Sequence, residues 1–230
     1  MPVSRLMEKD MNKYEEGEVI LINKPLGWTS FDVVRKIRNL TGVRKVGHAG
    51  TLDPLASGLL LVCTGRFTKK INQFMAEEKE YTGTMVIGAT TPTYDLESKP
   101  CNFTDVRFVS DQTVLLIARK FVGESEQIPP AHSAVKIKGQ PVYKLARKGM
   151  DVKLEPRKIV IKDFDITGIR LPEIDFRVVC STGTYIRSLV NDYGTVLGTG
   201  AYLSSLCRTK IGSFEIKDAQ TIDEFNKSCV

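Results

Sequence analysis

Histidine is scarce in this chain, and its cysteines lack metal-binding spacing. Only two histidines occur, His48 and His132, far apart in the sequence, and the five cysteines form no C-x-x-C pair. Zinc sites need closely spaced Cys or His ligands, and a disulfide framework pairs an even number of cysteines. We therefore expect neither a metal site nor a disulfide framework.

Long hydrophobic runs are also missing. The longest apolar pieces, such as LLLVC, are far shorter than a membrane span of about 20 residues. Residues 1–20 mix charges throughout and contain no apolar segment typical of a signal peptide. The 230 residues are 42% hydrophobic and 26% charged, which is the composition of a globular protein. We expect it to be cytoplasmic.

The common cofactor-binding motifs are absent as well. The sequence contains no G-x-G-x-x-G after a strand, no G-x-x-x-x-G-K-[ST] and no G-x-S-x-G. These motifs bind dinucleotides, bind nucleotide phosphates and present a nucleophilic serine, respectively. We therefore expect no cofactor, which leaves catalysis by side chains.

The net charge of +6 is distributed unevenly. Residues 136–162 hold nine Lys or Arg against two acidic residues, so this segment nets +7 and the rest −1. A second basic cluster consists of Arg35, Lys36, Arg38, Arg44 and Lys45. Concentrated positive charge is typical of proteins that bind polyanions, above all nucleic acid. Taken alone, each basic segment could instead be an ordinary solvent-exposed surface that binds no nucleic acid.

Hydrophobic periodicity and turn residues predict a mixed α+β protein without internal repeats. The predicted strands are residues 17–23, 58–64, 80–89, 134–140, 152–169 and 176–181, followed by paired strands in 201–216. The predicted helices are residues 30–41, 68–75, 111–120, 142–148 and 183–197. The first helix should begin at Thr29 or Ser30 and end at Gly42. Its apolar face should comprise Phe31, Val34, Ile37 and Leu40. Residues 42–57 and 121–133 are predicted loops.

Residues 47–60, GHAGTLDPLASGLL, contain one carboxylate, Asp53, among apolar and glycine residues. A charge in such surroundings is costly unless a distant group pairs with it. Pro54 restricts Asp53 to extended geometry, and an aspartate held in this way suits a nucleophile or a general base. The alternative is an Asp-Pro turn that caps the following segment.

Five segments in order resemble motifs of the tRNA pseudouridine synthase B family. The longest is G-H-x-G-x-L-D-P-x-A-x-G at residues 47–58. The other four are Lys24-Pro25-x-Gly27-x-Thr29-Ser30, Lys79-Glu80-Tyr81, Pro129-Pro130-x-x-Ser133-Ala134-x-Lys136 and Gly183-Thr184-Tyr185-Ile186-Arg187-Ser188-Leu189. Together they cover about residues 18–216.

This resemblance implies an activity and a fold. The family converts uridine 55 in the T-loop of tRNA to pseudouridine without cofactor or metal. The implied fold is the pseudouridine synthase catalytic fold, a mixed, mainly antiparallel sheet with flanking helices. We expect a monomer with one catalytic domain over residues 1–230, with a basic RNA-clamping insertion near 124–158. We expect no C-terminal PUA domain.

The resemblance also implies three catalytic residues. Asp53 matches the catalytic aspartate, and Arg187 matches the arginine that pairs with it and favours its charged form. Tyr81 matches the active-site tyrosine that stacks on the target base. Whether Asp53 attacks the sugar, attacks the base or removes a sugar proton is left open.

Four further residues are implied to bind the substrate. Tyr185 and Leu206 match positions that line the uracil pocket, and His48 matches the histidine that fills or supports the space vacated by the flipped base. Lys24 is expected to contact the site or a backbone phosphate, with a water-facing lysine as its alternative. Two other functions stay open, an RNA-binding or tRNA-folding protein and a guide-dependent rRNA pseudouridine synthase.

Overall fold

A computed structural model describes residues 13–130, 136–137, 140–141 and 154–229. The chain divides into two compact units. The first unit comprises residues Met1–Tyr81 and Leu206–Val230, and the second comprises Thr82–Ser205. Strands and helices occur in both, so the predicted α+β class is confirmed.

The described elements are numbered along the chain. The strands are β1 (Val19–Lys24), β2 (Val46–His48), β3 (Ala56–Thr64), β4 (Lys79–Ile87), β5 (Gly123–Gln127), β6 (Lys136–Ile137), β7 (Gln140–Pro141), β8 (Arg157–Arg170), β9 (Glu173–Cys180), β10 (Ala201–Ile211) and β11 (Phe214–Glu215). The α-helices are α1 (Ser30–Thr41), α2 (Ile71–Ala76), α3 (Asp111–Lys120), α4 (Ile186–Leu197) and α5 (Ile222–Ser228). Two 3-10 helices span Gly65–Lys70 and Ile216–Asp218.

Strand β3 is the centre of the first unit. It pairs antiparallel with β1 and β2 and parallel with the end of β10, which in turn pairs with β11. Leu60 and Val62 belong to one buried cluster, whereas Leu59 and Leu61 belong to another. Side chains alternate between the faces of a strand, so both faces of β3 are covered. This explains the continuous apolar run in its sequence.

Helix α1 begins and ends where the sequence predicts. Thr29 and Asp32 form a capping box at its start, and Gly42 ends it in a left-handed conformation with φ 68°. Its buried face differs from the predicted one. Val33, Val34 and Ile37 are buried, whereas Phe31, which was predicted on the apolar face, is 60% exposed.

The second unit contains the strand order β4–β9–β8–β5, with β8 and β9 forming a long antiparallel hairpin. Its core contains edge-to-face contacts of Phe164 with Phe121, Phe176 and Tyr193. The hydroxyl of Tyr193, on α4, donates to the carbonyl of Val114, on α3, over 2.8 Å. This buried hydrogen bond ties the two helices together.

Three predicted boundaries need correction or lie outside the described residues. Residues 123–127 form strand β5 although a loop was predicted, because their backbone pairs with β8. The predicted loop 42–57 contains the short strand β2 and the start of β3. The predicted helix 142–148 lies outside the described residues. Across the described ranges, no helix is long and apolar enough to cross a membrane.

Candidate active site

Residues 49–55, here called the Asp53 loop, connect β2 to β3 in the first unit. The amide of Ala49 donates to the carbonyl of Leu61 over 2.9 Å. At the other end, the amide of Gly27 donates to the carbonyl of Pro54 over 2.8 Å. The backbone on both sides of Asp53 is therefore fixed to neighbouring segments.

Ser30 anchors the middle of the Asp53 loop. Its buried hydroxyl accepts from the amide of Leu52 over 2.8 Å and donates to the carbonyl of the same residue over 3.1 Å. Because Ser30 is the first residue of α1, the helix sets the position of the residue directly before Asp53. Asp53 itself is half-buried.

Lys24 is the buried cation that acts on Asp53. Its side chain is 0% exposed, and Nζ donates to the carbonyls of Pro25 over 3.0 Å and Trp28 over 2.6 Å. Burial lowers the pKa of Lys24 from 10.5 to about 8, against the opposing attraction of Asp53, while Arg208 lowers it further. The alternative of a water-facing lysine was wrong.

Arg208 holds the loop from the side of β10. It is 1% exposed, its Nε donates to the carbonyl of Leu59 over 2.8 Å, and its Nη2 donates to that of Gly50 over 3.1 Å. Gly58 makes this approach possible. With φ at 103°, a Cβ on Gly58 would lie against the backbone of Arg208, 2.7 Å from its nitrogen.

His48 ends strand β2 at the entrance to the Asp53 loop. Burial lowers the pKa of its imidazole, and the nearby charge of Arg208 lowers it further, whereas hydrogen bonding to the backbone of Gly50 raises it. The net direction favours the neutral ring, which can pack against a base without bringing a charge.

Leu206 and Tyr81 also belong to the first unit. Leu206 pairs with Ala56 in the parallel register of β10 and β3, and its carbonyl accepts from the hydroxyl of Ser57 over 3.4 Å. This places Leu206 level with the end of the Asp53 loop. Tyr81 is buried on β4, and the preceding Glu80 accepts from Thr209 on β10 over 2.8 Å. The structure therefore brings β4 and β10 together beside the loop.

Arg187 and Tyr185 lie in the second unit, at the start of α4. The Nε of Arg187 is 3.7 Å from Oδ2 of Asp95, and its Nη1 donates to the carbonyl of Thr93 over 3.3 Å. The amide of Tyr185 donates to the side chain of Gln127 over 2.8 Å, which returns a hydrogen bond to the Tyr185 carbonyl over 3.1 Å. The expected pairing of Arg187 with Asp53 stays a prediction.

Tyr94 sets the geometry around Arg187. Its φ is 64°, a left-handed conformation that costs a tyrosine on the order of 1–3 kcal/mol. This turn allows the carbonyl of Thr93 and the carboxylate of Asp95 to face the same guanidinium. Both Arg187 and Asp95 are nearly fully buried, so each charge is balanced within the unit.

Sequence reasoning missed Arg208 and Asp95. Arg208 lies two residues after Leu206 on β10, where it is one of the buried positions of the strand, and a basic residue inside a predicted strand was the available signal. Asp95 ends the turn-rich stretch TTPTYD, residues 90–95. A lone acid in that stretch was a signal of the same kind as Asp53.

We next searched the described residues for a possible metal site. Within the described part of the chain, no group of three or more His, Cys, Asp or Glu side chains could hold a metal ion. All five cysteines are free thiols. The site therefore offers the carboxylate of Asp53 on a fixed loop. Buried Lys24 attracts this carboxylate, and buried Arg208 holds the loop.

Comparison with known proteins identifies the family of this chain. The family model for the TruB family pseudouridylate synthase N-terminal domain matches residues 38–186, which include Asp53, Tyr81 and Tyr185 but end one residue before Arg187. A tRNA pseudouridine synthase B of Flavobacterium johnsoniae is 49% identical over 223 residues, covering 94% of this chain and 97% of that protein. One of Phocaeicola vulgatus is 45% identical over 218 residues, covering 92% and 93%.

A solved structure is similar too. A chain in the crystal structure of a Cbf5–Nop10–Gar1 complex matches with a TM-score of 0.73 and 30% identity, covering 96% of this chain. The match spans only 56% of that other chain. On the family match and the curated relatives, this chain belongs to the TruB family of pseudouridylate synthases.

Proposed function

We propose that this enzyme converts uridine 55 in the T-loop of tRNA to pseudouridine, with Asp53 as the nucleophile. The observation that carries the proposal is Asp53 on a loop whose backbone is held by Gly27, Ser30 and Arg208. A side chain fixed in this way can be aimed at one atom of a substrate, and positioning is a major source of catalysis. The relatives named tRNA pseudouridine synthase B indicate tRNA as the substrate.

The reaction needs no external reagent because the product is an isomer of the substrate. The Asp53 carboxylate attacks C1′ of the ribose, and the N1–C1′ bond breaks with its electron pair leaving on the uracil. The uracil turns, and its C5 attacks C1′ and displaces the carboxylate. The proton lost from C5 is balanced by one gained at N1. Asp53 is regenerated at the end of the cycle.

Charge on Asp53 must be maintained for this attack. Lys24 favours the ionised carboxylate from a buried position. Arg187 is proposed to pair with Asp53 as well and to favour the same ionised form. A partner of opposite charge offsets the cost of partly burying a carboxylate.

Three apolar or aromatic side chains are proposed to bind the flipped uracil. Tyr81 stacks on the base, a contact worth about 1–3 kcal/mol, and Tyr185 and Leu206 line its pocket. His48 fills or supports the space that the base leaves in the RNA. Flipping costs a few kcal/mol, so these contacts help offset it.

The basic segment near 124–158 is proposed to clamp RNA phosphates without reading sequence. Its basic residues between 138 and 153 lie outside the described residues. We further propose that the enzyme acts as a monomer with one catalytic domain over residues 1–230. A tRNA substrate would place it in the cytoplasm.

A second candidate function is guide-dependent modification of another RNA. It is favoured by the similarity to a chain of the Cbf5–Nop10–Gar1 complex. The purified protein should be incubated with a transcribed tRNA alone, and each uridine should be mapped for conversion. Pseudouridine at position 55 supports the proposed function. Conversion that requires an added guide RNA supports the second candidate, and binding without any conversion contradicts both.

A further inference from the structure

A pocket outside the catalytic residues lies beside the Asp53 loop in the first unit. Its volume is about 330 Å³, and it is lined by Gly27, Trp28, Asp32, Arg35, Lys36 and Asn39. Gly27 donates its amide to Pro54, the residue after Asp53, over 2.8 Å. The pocket is therefore one hydrogen bond away from the loop that carries the catalytic carboxylate.

The lining offers an aromatic surface and positive charge together. Trp28 is half-buried and packs against the core cluster under α1, which fixes the ring. Its carbonyl accepts the hydrogen bond from buried Lys24 over 2.6 Å, which fixes the backbone. Arg35 and Lys36 add two cations one turn into the helix.

The carboxylate of Asp32 does not prevent Arg35 and Lys36 from attracting an anionic ligand. Its Oδ2 accepts from the amide and hydroxyl of Thr29 in the capping box, and its Oδ1 is 2.6 Å from Arg35. A guanidinium has five N–H donors, so Arg35 can bind Asp32 and a phosphate oxygen together. The net charge of the lining is positive.

Exposed apolar side chains occur on the segments that border the pocket. Leu26 is 66% exposed, Phe31 60% and Leu55 37%. Phe31 was predicted on the apolar face of α1, and its exposure leaves it available to a ligand. Unstacked RNA bases pack on such surfaces, while phosphates bind basic side chains.

We propose that this pocket binds a nucleotide of the T-loop next to the target uridine, with its base against Trp28 and its phosphate on Lys36 and Arg35. This inference rests on the proposed function and adds a second RNA contact to it. The site supplies affinity and holds the loop in place, while the chemistry stays with Asp53.

Trp28 is the only tryptophan of the chain, so its fluorescence reports on this pocket alone. A T-arm stem-loop RNA should be titrated into the full chain carrying Asp53→Asn, which prevents turnover. The expected result is quenching of tryptophan fluorescence that saturates with the same Kd as filter binding. The T-stem as a duplex without the loop should quench far less.

Charge removal tests the phosphate contact. Arg35→Gln/Lys36→Gln should raise KM for T-arm RNA about tenfold and leave kcat within about twofold, since only binding is affected. Each lost phosphate contact should also lower the slope of log Kd against log salt by about one. Lys227→Gln, an exposed lysine on α5, is the matched control and should change neither quantity.

The possible outcomes separate this proposal from the proposed function. Pseudouridine formation with unchanged fluorescence, or a double variant that behaves like the Lys227 control, would overturn the pocket alone. Quenching without any pseudouridine formation would support the pocket and contradict the proposed function. Absence of RNA binding would overturn both.

Discussion

The guanidinium of Arg208 joins the carbonyls of Gly50 and Leu59, with donor–acceptor distances of 3.1 and 2.8 Å. The two carbonyls belong to the Asp53 loop and to strand β3. One buried side chain on β10 thus connects the catalytic loop to the centre of its sheet. Asp53 depends on a residue about 150 positions later in the sequence.

Arg208→Met should therefore destabilise the protein as well as reduce its activity. The change leaves two buried carbonyls without their donor, which costs about 2–5 kcal/mol of unfolding free energy. Urea denaturation measures it. Arg107→Met, whose side chain is 90% exposed, should change the free energy by less than about 0.5 kcal/mol. Equal effects of the two substitutions would contradict the anchoring role of Arg208.

Gly58→Ala should be destabilising for a steric reason. The added Cβ would meet the backbone of Arg208, so β3 and β10 would have to separate. We expect a loss of at least about 2 kcal/mol in unfolding free energy. Gly183→Ala is the control, because it has a similarly left-handed φ of 82° but nothing within 4 Å of its Cβ. Its loss should be limited to backbone strain of about 1 kcal/mol.

Asp53→Asn should remove activity and leave folding intact. The amide is no nucleophile, so pseudouridine formation should fall by at least about a thousandfold. Single-turnover conversion of a transcribed tRNA measures this loss. Asp218→Asn removes a carboxylate from an exposed position of the same unit and should stay within twofold of wild type. Conversion by Asp53→Asn at a near wild-type rate would rule out a catalytic role.

The depressed pKa of Lys24 predicts a specific dependence of stability on pH. Between pH 8 and 10.5 the unfolded chain keeps the proton on Lys24 while the folded chain loses it. Stability rises with pH where the unfolded state binds more protons. The unfolding free energy of wild type should therefore rise by up to roughly 3 kcal/mol relative to that of Lys24→Met as the pH increases over this range. Below pH 8, the difference between the two proteins should not change with pH. Lys227→Met, at an exposed position of α5, should show no such change in urea denaturation.

RNA binding should depend steeply on salt if the basic segment 136–162 clamps phosphates. Arg147→Gln/Lys148→Gln should weaken binding of tRNA and lower the slope of log Kd against log salt by about one to two. The same change at Arg119 and Lys120, two exposed residues at the end of α3, is the matched control. Filter binding at several salt concentrations measures both pairs. A flat salt response of wild type would contradict the clamp.

Local signals predicted the parts of the site that are contiguous in the chain. The Asp53 motif combines a proline and several glycines with one carboxylate, and the capping residues of α1 lie within four positions of each other. Such features depend on neighbouring residues and on intrinsic backbone preferences. The caps of α1 lie where the sequence predicts them, and Asp53 lies in a loop.

The strand β5 shows where local signals fail. Its sequence GESEQ has low strand propensity, yet it pairs with β8 over five residues. The exposed Phe31 shows the opposite error, since its helical spacing placed it on the apolar face of α1, yet it is exposed. In both cases a partner element distant in the sequence decides whether the residue is paired or buried.

By itself, the sequence determined the α+β class, the candidate carboxylate and the position of its loop between helix α1 and strand β3. Only the tertiary structure decided which charges surround that loop. Lys24 and Arg208 carry ordinary charged side chains whose burial cannot be recognised from neighbouring residues. A buried charge is tolerated only when distant segments supply its partners. Those partners come together through strand pairing, which links residues far apart in the chain.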